Sequence, residues 1–219
     1  MTSFEERAGL WHAAALCLIA GFVDAVGYFE HGHVFTANMT GNTVLLGAAI
    51  AYGDWLALTY AATIVSFALG VATSTLLKLA RVALPALLVI AGGLLGAIQL
   101  IDLGSFALLS ALSFVMGLQG GAIATFSGIR LPTVVVTSTL VNLIDGLIRR
   151  GFQRRAVRAG APPPSHVAHL AAAWIAYGVG GAAAVATSVH VPLPLLIPAV
   201  LYGVVAVGLL DGWGAGRDD

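Results

Sequence analysis

Asp24, Thr36, Asn38, Thr40 and Asn42 are polar groups set in an otherwise apolar stretch of chain, GFVDAVGYFEHGHVFTANMTGNTVLLG, residues 21–47. An ionisable side chain inside a long apolar run is costly and points to function by default. Asp24 is the only carboxylate well inside the long apolar segments, so it could carry the charge that compensates a cation or a proton-coupled solute. The oxygens of Thr36, Asn38, Thr40 and Asn42 could coordinate a solute or cation. The same residue types also cap helices and form turns. On that plainer reading Asp24 is a hydrogen-bond partner for Thr, Asn or backbone N–H groups of the short segment beside it.

Other chemistries find less support. His31 and His33 flank this stretch, and His166 and His169 stand three apart, a spacing at which two imidazoles share a metal. No third ligand accompanies either pair, so neither a metal site nor any other cofactor is expected. Ser, His and Asp are scattered over different segments, with no nucleophile–base pair and no phosphate loop, so an enzyme is not expected. Asp145 precedes Arg149 by one helical turn, as a surface ion pair does. The single cysteine, Cys17, excludes an intrachain disulfide.

The elements that must position these residues follow from composition. The chain has 219 residues, 59% hydrophobic and 9% charged, with a mean hydropathy of +0.96. Soluble domains carry about 25% charged residues. Apolar runs at about 9–29, 55–77, 82–101, 104–126, 166–188 and 192–211 approach the roughly 20 residues that cross a bilayer. No cleavable signal peptide is evident, and the zero net charge gives no indication of a nucleic-acid partner. Two shorter segments, 36–52 and 133–148, remain.

Charge decides how the short segments count. Lys and Arg are enriched on the cytoplasmic side. With eight crossings, the Lys78/Arg81 loop and Arg130 fall outside. If the short segments enter and return, then Arg7, Lys78, Arg81, Arg130, the cluster from Arg149 to Arg158 and Arg217 share one side. Six crossings with both termini in the cytoplasm are therefore expected.

The second half echoes the first. Residues 21–50 can be laid on GLQGGAIATFSGIRLPTVVVTSTLVNLIDGLI, 117–148, with Thr36 on Thr133, Thr40 on Thr137 and Asn42 on Thr139. Gln119, near the position matching Asp24, reads as its neutral counterpart. The expected fold is an all-α membrane protein of six transmembrane helices plus two short broken or re-entrant helices, in a 3+3 inverted repeat. Residues 1–103 form the first repeat and 104–219 the second, within one integral membrane domain. Three crossings per half give the halves opposite orientations and place a site at their interface. The polar ends of the two short helices are expected to meet there, Pro132 opening the second.

The run GFVDAVGYF, the stretch VFTANMTGNTVLLG and the later GLQGGAIATF…LPTVVVTSTLVNL resemble the YoaK family of bacterial inner-membrane proteins. The resemblance covers nearly the whole chain, and ANMTGN is its specific signature. TSTL stands where Thr-Gly-Thr is expected. The family implies an inner-membrane location and no established activity.

These residues suit a small secondary transporter or channel that moves a small solute or ion through the repeat interface. The alternative is a non-transporting membrane sensor or assembly protein. The partners implied are the lipid bilayer and the solute, with homo-oligomer formation left open. Topology gives the first test. With Cys17 replaced, single cysteines at Arg81 and Arg154 should resist an impermeant thiol reagent applied outside intact cells. Labelling of either from outside would refute six crossings.

Overall fold

The computed structural model describes residues 3–123, 136–153 and 164–214. Every regular element among them is an α-helix: α1 (Ser3–Glu30), α2 (Met39–Tyr52), α3 (Leu56–Leu79), α4 (Leu84–Leu100), α5 (Ser105–Ile123), α6 (Val136–Gln153), α7 (Pro164–Ser188) and α8 (Leu196–Gly214). Each of the six long runs read from the sequence is a helix. α1 begins earlier than hydropathy suggested, because polar SFEER continues the helix ahead of the apolar run. Among the described residues four helices, α1, α3, α5 and α7, are long and apolar enough to cross a membrane. α4 and α8 carry shorter apolar segments, Leu84–Leu100 and Leu196–Leu210.

α1 and α5 form the centre. Buried residues make up 67% of the apolar window of each, against 22% for α3 and 28% for α7. α1 packs on α7 and α8, α5 on α3 and α4, and α4 on α8, while α2 lies on α3 and α6 on α7. Exchanging α1–α4 with α5–α8 turns these pairs into themselves. Only a marginal touch between the consecutive α3 and α4 lacks its equivalent.

Glycine makes the two tightest crossings. A Cβ on Gly21 would fall 2.0 Å from the Tyr177 carbonyl oxygen, and one on Gly180 would fall 2.1 Å from that of Leu18. The other pair repeats the arrangement, with Gly117 against Phe67 O and Gly70 against Phe114 O, both at 2.1 Å. At each crossing both helices place a glycine three residues after the carbonyl that the other helix's glycine meets. Small residues let helix backbones approach this closely where lipid supplies no hydrophobic drive between helices.

α2 folds back into the bundle. Asp24 stands six residues before the end of α1, about 9 Å along the helix, and Thr63 seven residues into α3, about 10 Å. Both bond the segment around the start of α2, so residues 31–38 run back beside α1 and α2 then returns towards the start of α3. At 14 residues α2 is about 21 Å long, too short to span a ~30 Å hydrocarbon core. Asn38 caps its start by accepting the Gly41 N–H at 3.2 Å, and Gly53 ends it in the left-handed conformation.

The expected meeting of the two short helices is not found: no described residue of α6 touches α2. The glycine crossings draw α3 onto α5 and α7 onto α1, and α2 packs on α3 while α6 packs on α7.

Gly21→Ala and Gly117→Ala should each lower stability by about 1–3 kcal/mol or more, the usual cost of overpacking. Gly178→Ala, where nothing lies within 4 Å, should be neutral or slightly stabilising. Thermal unfolding of the purified variants in detergent reads the difference.

Candidate functional site

Asp24 is buried and organises the segment after α1. Its Oδ1 accepts the backbone N–H of Thr36 at 2.7 Å, of Ala37 at 2.6 Å and of Asn38 at 3.4 Å, and the Thr36 hydroxyl at 3.1 Å. Its Oδ2 accepts the hydroxyl of Tyr177 on α7. Asn42, fully buried, serves the preceding residue. Its Oδ1 accepts Phe35 N–H at 3.0 Å, and its Nδ2 donates to Phe35 O at 2.6 Å and to Thr63 Oγ1 at 3.2 Å. Four consecutive backbone N–H groups, 35 to 38, are thus matched by two side chains. Non-helical backbone at membrane depth requires such partners.

Packing completes the frame. The Tyr28 and Phe35 rings stack with centroids 4.6 Å apart. Gly41 lies under Phe35, where a Cβ would come within 2.9 Å of the ring. That contact accounts for the glycine of ANMTGN.

Of the residues singled out from sequence, Asp24, Thr36, Asn38 and Asn42 come together. Thr40 is exposed on α2 and stands apart from the cluster. Gln119 is buried elsewhere. Its Nε2 donates to Leu16 O at 3.0 Å and its Oε1 accepts the hydroxyl of Tyr202 on α8. Leu16 lies eight residues from Asp24, about 12 Å along α1, so Gln119 ties α5 to α1 and α8 rather than mirroring Asp24. Thr133 lies outside the described residues, as do Arg130, Arg154, Arg155, Arg158 and Arg217, and of Thr137 and Thr139 only the helical backbone is described.

Sequence reading missed Tyr177, Tyr202 and Thr63. The signal was there for the tyrosines: a phenol in the middle of an apolar span, away from the interface, needs a polar partner.

A cavity of about 550 Å³ opens where α1, α4 and α7 end and α8 begins. Glu30 and His31 line it from α1, Gln99 and Asp102 from the end of α4, and Ser188 from α7. Gln99 Oε1 accepts the Leu195 N–H at 2.8 Å and so joins α4 to α8 across it. Burial holds His31 below the usual imidazole pKa, against the opposing pull of Glu30.

Apolar helices of spanning length, with irregular backbone held inside by buried side chains, define a polytopic helical membrane protein. The chain belongs to the family described as "Protein of unknown function (DUF1275)", whose model matches residues 12–208. It is 34% identical over 156 residues to the UPF0700 transmembrane protein YoaK of Bacillus subtilis (strain 168), covering 64% of this chain and 68% of that protein. No solved structure matches.

Asp24→Ala would leave the buried N–H groups of Thr36 and Ala37 unmatched at roughly 1–3 kcal/mol each, and would remove the longer, part-buried bond of Asn38. It should destabilise the protein by about 3 kcal/mol or more and expose amides 35–38 to hydrogen exchange. Tyr177→Phe removes one donor and should cost about 1–3 kcal/mol with those amides still protected. Equal exchange in wild type and Asp24→Ala would refute the assignment.

Proposed function

We propose that the chain is a small secondary transporter or channel of the bacterial inner membrane, with six crossings, both termini in the cytoplasm and two inverted halves. The observation that carries this reading is the set of helix pairs that, apart from the marginal α3–α4 touch, returns to itself when the halves are exchanged. The two glycine crossings obey the same exchange, residue for residue. In membrane transporters this architecture serves alternating access around a site between repeats.

The pairs also suggest what moves. α1 and α7, locked at Gly21 and Gly180, carry α6. α3 and α5, locked at Gly70 and Gly117, carry α2. Relative rocking of these two bodies would work the seam bridged by α4 and α8. The cavity at one end of that seam is the entry on the side away from the Arg-rich loops. Asp24 serves as a frame in this scheme, since both its oxygens are engaged.

That engagement also favours a second reading, a non-transporting sensor or assembly protein, in which the polar segment is wholly structural. Proteoliposome uptake separates the two. Among a fixed organic cation, an amino acid, a sugar and a small carboxylate, at least one should enter saturably. Val191→Trp, which narrows the cavity, should reduce that uptake about tenfold or more, the equivalent of ~1.4 kcal/mol. Absence of saturable uptake for all four would leave the second reading.

A further inference from the structure

We propose that the cavity where α1, α4 and α7 end is a binding site for a small organic cation, an ammonium head on an apolar body. This deepens the transport reading and rests on it for the passage of the bound cation across the membrane, but not for binding itself.

Size and lining set the class of ligand. A volume of about 550 Å³ lies within the usual ~300–1,000 Å³ of small-molecule sites, which are mostly apolar with a few placed polar groups. The lining sets apolar side chains, Ile98, Ile101, Leu108 and Leu195 among them, beside the polar groups of Glu30, Gln99, Asp102 and Ser188. That much room beside two carboxyl groups suits a molecule with a body rather than a bare metal ion.

Charge sets the sign. Glu30 closes α1 and Asp102 follows α4, so two carboxyl groups reach the cavity from separate parts of the chain, and no Lys or Arg lines it. Low-dielectric walls focus such a field. His31, its pKa lowered by burial, does not offset it at neutral pH.

Helix dipoles act in the same direction. The C-terminal ends of α1, α4 and α7 converge here, and such ends favour cations. The opposing N-terminal end of α8 is occupied: Gln99 takes the Leu195 N–H, and the carbonyls of Leu193 and Pro194 take those of Leu196 and Ile197. Few donors therefore remain there for an anion.

The test uses the full chain in nanodiscs, with benzyltrimethylammonium as probe and benzoate as its anionic counterpart, read by equilibrium dialysis against empty nanodiscs. Wild type should bind the cation saturably and not benzoate. Glu30→Gln and Asp102→Asn should each weaken binding about fivefold, roughly one charge contact near a wet surface. The double variant should weaken it about 25-fold, the two effects multiplied, and Asp145→Asn, on α6 away from the cavity, should leave it unchanged. Thermal unfolding of each variant checks that it is folded.

Equal binding of benzoate, insensitivity to both substitutions, or displacement of the probe by Mg²⁺ at constant ionic strength would overturn the inference. Saturable uptake in proteoliposomes that ignores Glu30→Gln and Asp102→Asn would also overturn it while sparing the transport reading. Carboxylate-dependent binding without uptake would uphold the inference and remove transport.

Discussion

One carboxylate oxygen accepting the N–H groups of three successive residues is the interaction on which the first half of this protein rests. In a hydrocarbon setting each unmatched backbone group costs several kcal/mol, so extended chain survives only where side chains stand in for a helix. Asp24 supplies that substitution for residues 36–38, and Asn42 extends it to Phe35. Once the segment is fixed, α2 must start deep beside α3, and the Asn42–Thr63 bond holds it there. The remaining carboxylate oxygen reaches Tyr177, so the same group that shapes the loop also joins α1 to α7.

The glycine crossings impose a second constraint, and it cuts across the sequence halves. α1 is bound most closely to α7, and α3 to α5, so each tight pair takes one helix from either half. Backbone contact of this kind permits no side chain between the helices. Sliding along the axis would drive carbonyl oxygens into Cβ atoms one turn away, which leaves the crossings as pivots. Polar bridges occur within the pairs, as Tyr177 to Asp24 and Lys78 to the Gly121 carbonyl, and also between other helices: Gln119 links α5 to Leu16 and Tyr202, and Gln99 links α4 to α8.

Much of this was legible in the residues. Apolar length located six helices to within a few residues, and the Thr and Asn content of 36–42 marked the break in helical backbone. The plainer reading of Asp24, a partner for neighbouring N–H groups, is what the structure shows. Distant partners were not legible. Nothing near Tyr177 or Tyr202 in the chain says which helix will face it, because the crossing glycines decide that only after packing. The same applies to Glu30 and Asp102: each looks like an ordinary charge at a helix end until the fold brings the ends together. Pairing the short segments by sequence likeness suggested contact between them, whereas α2 packs on α3 and the described part of α6 on α7.

The pairing of α1 with α7 has a consequence for biosynthesis. Tyr177 is made 153 residues after Asp24. At about 5–20 residues per second the ribosome needs roughly 8–30 s to close that gap. Throughout it α1, two-thirds buried in the finished bundle, stands in the bilayer without its main neighbour. The loop-closing bonds of Asp24 to residues 36–38 are available almost at once, and they mask the carboxylate from lipid during the wait. A local hydrogen-bonded hairpin thus lets a span with a buried carboxylate enter the bilayer long before its partner is made.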